Sequence, residues 1–356
     1  MKLLPAILVL GWAICSHATD VSSRIVGYNV VDCPAGSDTI VSVPFHLPAS
    51  FAGAVEGAPS VEGSEVTITP KASPVFSVGD FTTEAHYVQF VEGARAGWVF
   101  EVLPHGPSSI TIDSAGEDLT NLADGDRFEV IPHWTLATLF PKETQTTIHE
   151  SSSKLSTGRK SRILFFDETT DGVSLAPDRV FFLTADGWFQ SAAGLPAADD
   201  VVVPPGKAFV IRHPATEAAT KFVPHQMVVE SSWSAPLKVR AAGGQDNAIA
   251  LVRPIPVKLS ELGLDPAAFV DSADNDANNR ADELLVYDNL EAAINKAPST
   301  IYFRVGGEWR LDDGDAGATY PVADDHEILP STGLVLRKAA GSSDETLRWL
   351  NTPTYP

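Results

Sequence analysis

An all-β protein is predicted by three features of the chain. Short β-branched and aromatic runs are bounded by Gly, Pro, Asp and Asn, helical periodicity is almost absent, and 26 glycines and 26 prolines punctuate 356 residues. The runs include "TIVSVPF", "EVTIT", "HYVQFV", "WVFEVL", "RVFFL", "AFVIR", "TIYFRV" and "GLVLR". Turn residues recur about every ten positions, which is the pattern of antiparallel strands joined by tight turns. Helix is expected only in brief pieces, "VKLSELGL" and "NLEAAINKA".

The chain opens with "MKLLPAILVLGWAICSHA", one Lys followed by an apolar stretch that ends in Ser16-His17-Ala18. Small residues three and one before a cut are what signal peptidase reads, so residues 1–18 are expected to be a cleaved signal peptide and the product secreted. The run is too short to cross a bilayer. Cys15 would leave with it, and Cys33 then stands alone, a small buried hydrophobe with no disulfide partner. The formal charge of −21 argues against nucleic-acid and anionic-membrane partners, whose recognition needs Lys and Arg.

Self-comparison shows an internal repeat. "ILFFD" (163–167) matches "LLVYD" (284–288) at an offset of 121, and "APDRVFFLTADGW" (176–188) matches "APSTIYFRVGGEW" (297–309) at the same offset. "VVPPGKAFVIR" (202–212) matches "ILPSTGLVLR" (328–337) after one residue of slippage. Upstream, "SDTIVSVPFHLP" (37–48) resembles "QDNAIALVRPIP" (245–256) at offset 208, whereas "WTLATL" (134–139) resembles "VKLSEL" (257–262) at offset 123. The difference, 85, is the length of residues 49–133. The expected organisation is therefore a first antiparallel β module of residues 19–48 plus 134–213, interrupted by a small β-barrel or sandwich at 49–133. A connector at 214–244 and a second module with its tail at 245–356 follow. Within the insert, strands are expected at Glu65–Thr69, His86–Val91, Trp98–Leu103, Ser109–Ile112 and Arg127–Ile131.

The acidic stretch "DSADNDANNRADE" (271–283) carries net charge −4, while its counterpart in the first repeat, "ESSSKLSTGRKSR" (150–162), carries +3. The shared fold therefore does not itself require an acidic loop. Three readings stay open. In the calcium reading Asp274, Asp276 and Asn278 take positions 1, 3 and 5 of an oxygen-rich loop, with the Arg280 carbonyl at 7 and Asp282 at 9. Asn279 stands where such loops want Gly, and Leu285 where they want Glu. In the assembly reading the oppositely charged loops pair between subunits. In the third the stretch is a solvated turn.

No G-x-S-x-G, H-E-x-x-H, Walker, dinucleotide or C-x-x-C signature occurs in the sequence. "HESSS" at His149 and "HEILP" at His326 begin like zinc motifs but lack the second His. The acidic pairs Asp199-Asp200, Asp312-Asp313 and Asp324-Asp325 sit in small-residue turns, where carboxylates are usually solvated. Trp188 and Trp309 occupy equivalent repeat positions and are expected in the core, whereas Trp98 and Trp233 are candidate solvent-facing platforms for sugar rings.

The motifs "PAGSDTIVSVPFHLP" and "GDRFEVIPHWTLATLFP", with the Trp–"PPGKAFVIR" module, resemble a family of secreted β-rich bacterial proteins, often present as several paralogues per genome. That family has no established activity, so the resemblance implies an exported scaffold and assigns no catalytic residue. The chain is thus read as a secreted, non-enzymatic surface or extracellular protein that binds a polysaccharide or other surface proteins. Calcium is its candidate cofactor. A polysaccharide-acting enzyme using Asp carboxylates and a self-assembling subunit are the alternatives.

Overall fold

The computed structural model describes residues 24–356 except 78, 168, 175, 313, 315–319, 354 and 356. The expected signal peptide, its cleavage site and Cys15 lie outside the described residues. The fold is all-β: among the described residues the only α-helical turn is Leu136–Leu139, joined by three short 3-10 turns. That helix starts where "WTLATL" allows it. Thr135 Oγ1 accepts from Thr138 N at 3.2 Å, and Thr138 Oγ1 accepts from Thr135 N at 2.8 Å, a reciprocal cap. Of the two segments expected to be helical, "VKLSELGL" forms only the 3-10 turn Leu259–Glu261. "NLEAAINKA" forms no helix, because its backbone and side chains are taken up in docking described below.

Two five-stranded antiparallel sheets carry the architecture. Sheet I runs Gly187–Gln190, Pro177–Thr184, Arg162–Phe166, Ala208–His213, Ser37–Ser42. Sheet II runs Glu308–Asp312, Thr300–Val305, Glu283–Val286, Gly333–Lys338, Gln245–Ala250, the same connectivity. Each sheet has an apolar core on its outer face, around Phe140, Phe181 and Trp188 in one and Phe269, Trp309 and Trp349 in the other. Their inner faces meet through Ile40, Leu164, Ala208, Val210 and Ala248. Burial on both faces is why "AFVIR" and "TIVSV" read as nearly unbroken apolar runs rather than strict alternations.

The closest approach of the sheets is at Gly333. A Cβ there would lie 2.7 Å from Ile40 Cγ2, 2.8 Å from Ala208 Cβ and 2.9 Å from Val41 O. Gly333→Ala is expected to force the sheets apart and cost about 1–3 kcal/mol. Urea denaturation of the two proteins measures this, and an unchanged midpoint would contradict it.

The sheets also grip each other reciprocally. Asp38 N donates to Ala293 O (2.8 Å) and Asn295 N donates to Asp38 Oδ2 (2.7 Å). On the other side Asp246 N donates to Gly172 O (2.9 Å) and Ser174 N donates to Asp246 Oδ2 (2.7 Å). Both loops turn through left-handed residues, Asn295 at φ 52° and Ser174 at φ 54°. Each Asp is also held by an Arg of its own sheet, Arg212 on Asp38 (2.6 Å) and Arg337 on Asp246 (2.7 and 3.0 Å). Asn289 extends the grip by bonding both Ile40 N and Ile40 O, which ties this loop to the strand Ser37–Ser42.

A third sheet of seven strands is drawn wholly from Phe51–Ala54 to Arg127–Pro132. The five strands expected there are present within a residue or two, joined by Phe51–Ala54 and Ser60–Glu62. It curls until the Phe51–Ala54 edge meets the end of Glu65–Ile68: Glu56 N donates to Thr69 O and Lys71 N donates to Ala54 O, both at 2.7 Å, about a bridge between Val55 and Pro70. The barrel interior is packed with Phe90, Phe100, Phe128, Ile110 and Ile112.

Residues 214–244 do more than connect. Thr220–Phe222 pairs with Val31–Cys33, His225–Val228 lies between Val26–Tyr28 and Phe45–His46, and Trp233–Val239 pairs along its length with Glu345–Asn351. Pro236 is tolerated there because the ladder has two strands, leaving one edge unpaired. Cys33 is fully buried and burial pushes its thiol up to about 11, so it behaves as the small hydrophobe expected.

Candidate functional site

The barrel, sheet I and the Trp233–Val239 ladder leave a cavity of about 510 Å³ between them. That volume lies within the range of small-molecule sites. The open face of the barrel contributes Val99, Glu101 and Asp113. Pro204, Pro205 and Gly206 come from the "VVPPGKAF" turn, and Trp233, Ser234 and Tyr287 from the sheet II side. Gly206 (φ 71°) brings its backbone against the Trp233 indole, where a Cβ would lie 2.5 Å from Nε1.

Several charges in the wall are neutralised within the protein. Arg348 donates two hydrogen bonds to Glu117, at 2.6 and 3.2 Å, and Asp246 is held by Arg337. Asp167 accepts from Thr169 N, Thr169 Oγ1 and Thr170 N at 2.8–3.0 Å. Hydrogen bonds from Thr170 and Thr169 hold that carboxyl well below the usual carboxylate range. His133, its side chain wholly enclosed, contacts Glu101 through Nε2 at 2.8 Å.

Other polar groups have no internal partner. Ser234 is 3 % exposed and Trp233 5 %, yet Ser234 Oγ, Trp233 Nε1 and the Tyr287 hydroxyl make no hydrogen bond among the described residues. Burial pushes the Tyr287 phenol up to about 12, so it remains a donor. These residues line the cavity, so their donors are available to a ligand that enters it.

The residues expected to act are dispersed. Trp233 lines the cavity but is buried rather than solvent-facing. Trp98 is no open platform either: Arg95 covers one face at 4.2 Å and Arg348 lies 4.0 Å from the same ring. Trp188 and Trp309 are core residues, 1 % and 3 % exposed.

The five calcium candidates do not converge. Asp282 is 1 % exposed and turns inward, accepting from Lys338 Nζ, Val270 N (2.7 Å) and Ala339 N (2.9 Å). Arg280 lies over Phe303 and Tyr320 and bonds Asp312 at 2.6 Å. Asp276 caps the turn at Asn278, through N and Nδ2 at 2.9 Å, and Asp274 accepts from Asp276 N at 3.0 Å. With Asp282 turned to a buried ammonium and Asp274 and Asp276 bonded within their own turn, the five candidates do not aim at one point. Among the described residues no group of three or more His, Cys, Asp or Glu is placed to hold a metal.

The charges of the basic loop 150–162 are also engaged internally. Lys154 pairs with Asp186 (3.1 Å), Lys160 with Glu217 (3.4 Å), and Arg159 lies over Phe182. Of the acidic pairs, Asp199 Oδ1 accepts from Trp188 N (3.2 Å) and Asp324 Oδ1 from Trp309 N (2.9 Å), closing equivalent turns. His149 faces Glu217 at 3.5 Å and His326 faces the Tyr302 hydroxyl at 3.3 Å. Asp313 lies outside the described residues.

No family model, curated protein or solved structure matches the chain. No described helix is long and apolar enough to cross a membrane. The cavity residues Ser234, Tyr287 and Glu101 escaped sequence reasoning because they come from three separate stretches with no motif linking them. The one available signal was the "PPG" turn, whose glycine admits Trp233.

Proposed function

We propose that this is a secreted, non-enzymatic binding protein whose central cavity takes a saccharide. The observation carrying the proposal is the set of cavity-lining donors without internal partners, Ser234 Oγ, Trp233 Nε1 and Tyr287 OH, beside apolar Pro and Val surface. Sugar rings offer both requirements, hydroxyls that accept hydrogen bonds and C–H faces that pack on apolar and aromatic groups. Secretion is supported by the signal-like residues 1–18. A duplicated module with an inserted barrel is supported by the common strand order of the two sheets and their matching Asp–Arg pairs.

A hydrolytic reading needs one cavity carboxyl raised to serve as an acid. Asp167 is instead held low. The assembly reading is weakened by the internal pairing of Lys154, Lys160, Arg280 and Asp282.

Titration calorimetry with a panel of neutral and charged soluble oligosaccharides tests the proposal. At least one is expected to bind, and Tyr287→Phe should weaken it about three- to tenfold through loss of one hydrogen bond. No binding across the panel, or binding indifferent to Tyr287, would overturn it.

A further inference from the structure

The open face of the barrel carries a row of carboxylates. Glu62 is the register partner of Glu65, and Glu65 is the partner of Asp113. The neighbouring ladder sets Ile112 opposite Val102, and one step further along that register sets Asp113 opposite Glu101. Glu62, Glu65 and Asp113 thus stand directly opposed on three adjacent strands, and continuing the register brings Glu101 alongside on a fourth, on the face away from the barrel core. With strands about 4.8 Å apart, the row is about 14 Å long.

Like charges directly opposite each other across a sheet destabilise it. Nevertheless no Lys or Arg is seen to pair with Glu62, Glu65 or Asp113 among the described residues. Asp113 accepts only from the backbone of Ala115 (2.9 Å), and Glu101 only from His133. The inner end of the row, Glu101 and Asp113, forms one wall of the cavity. Ser234, 97 % buried by its 3 % exposure and with an unpartnered hydroxyl, lines the same cavity. The row therefore leads into the cavity at Glu101 and Asp113, where the Ser234 hydroxyl has no internal partner among the described residues to compete with a ligand.

We propose that the ligand is a cationic oligosaccharide, a chain of amino sugars with free amines. Its terminal ring sits in the cavity beside Glu101 and Asp113, and alternate ammonium groups of the chain face the row that continues to Glu65 and Glu62. This rests on the saccharide reading above and adds the charge. A β-1,4-linked pyranose chain is extended and turns about half a revolution per ring, so alternate amines face the sheet and meet carboxylates two strands apart. Acetylation removes the positive charge and leaves the sugar ring, which separates the two claims.

The experiment is calorimetry at mildly acidic pH with three probes: the glucosamine tetramer, its fully N-acetylated counterpart and spermine. Wild-type protein is compared with Glu65→Gln/Asp113→Asn, two isosteric changes on the barrel's open face; the circular dichroism melting curve of the variant verifies its fold. The glucosamine tetramer should bind at least about tenfold more tightly than the acetylated one. High salt should erode that preference, and the double variant should abolish it. Equal binding of both tetramers, or a preference unchanged in the variant, overturns the charge proposal and leaves the saccharide reading standing. Binding of spermine alone, with neither sugar bound, overturns both.

Discussion

Asp282→Ala is expected to destabilise the protein by about 3–5 kcal/mol, because it strands the Lys338 ammonium in the interior without its counter-charge. Both side chains are 1 % exposed as residues, and Lys338 has only one other anchor, the Ala268 carbonyl at 2.8 Å. The loss falls on sheet II, where Asp282 also receives Val270 N and Ala339 N. Sheet I solves the same position without charge: Ser161 Oγ contacts His213 Nδ1 at 2.7 Å, and His213 Nε2 contacts Thr220 Oγ1 at 2.8 Å. Asp282→Ser with Lys338→His transplants that neutral pair and should recover more than half of the loss. Urea midpoints of the three proteins measure both effects. A cost below about 1 kcal/mol for Asp282→Ala would mean the pair is solvated, contrary to its burial.

The second large effect is a loss of stability in acid centred on His213. Burial, and then the neighbouring His149 ring 5.3 Å away, lower its pKa to about 4, with Glu217 opposing. Above the ordinary histidine range both folded and unfolded chains carry a neutral imidazole, and His213 contributes no pH dependence. As pH falls below about 6.5 the unfolded chain takes up a proton that the folded one refuses, so stability declines down to about pH 4 and then levels. A depression of that size corresponds to about 3 kcal/mol. In His213→Gln, which retains hydrogen-bonding capacity towards Ser161, this part of the acid slope should vanish. Identical slopes for variant and wild type from pH-dependent urea titrations would refute the assignment.

The Asp282–Lys338 pair explains why the acidic side chains do not converge in the structure. "DSADNDANNRADE" presents side-chain oxygens at the alternate positions Asp274, Asp276 and Asn278, and alternation suggests convergence. Position 282, however, begins the strand Glu283–Val286, and the strand's pleat turns its side chain into the interior, towards Lys338, 56 residues away in sequence. Asp274 and Asp276 were left to cap their own turn, which local hydrogen bonding favours whenever Asp precedes a backbone N–H by two residues. Trp98 is covered for a similar reason: Arg95 is its near neighbour in sequence, but Arg348 comes from close to the other end of the chain.

What the sequence by itself determined was local or periodic. Runs of Val, Ile and Phe set the strands, Gly and Pro set their limits, and the buried Trp188 and Trp309 could be placed in the core from their repeated context. The strands of the barrel were legible because each alternates an apolar core face with a polar one, as in Glu65–Ile68. Tertiary structure alone decided how the sheets meet. The Gly333 contact, the reciprocal docking of residues 172–174 and 293–295, and the cavity shared by Glu101, Ser234 and Tyr287 all join residues distant in sequence. The physical reason is that hydrophobic pattern specifies which face of a strand is buried but not which surface buries it. The carboxylate row depended on both: its residues are plain in the sequence, while only strand register set them side by side.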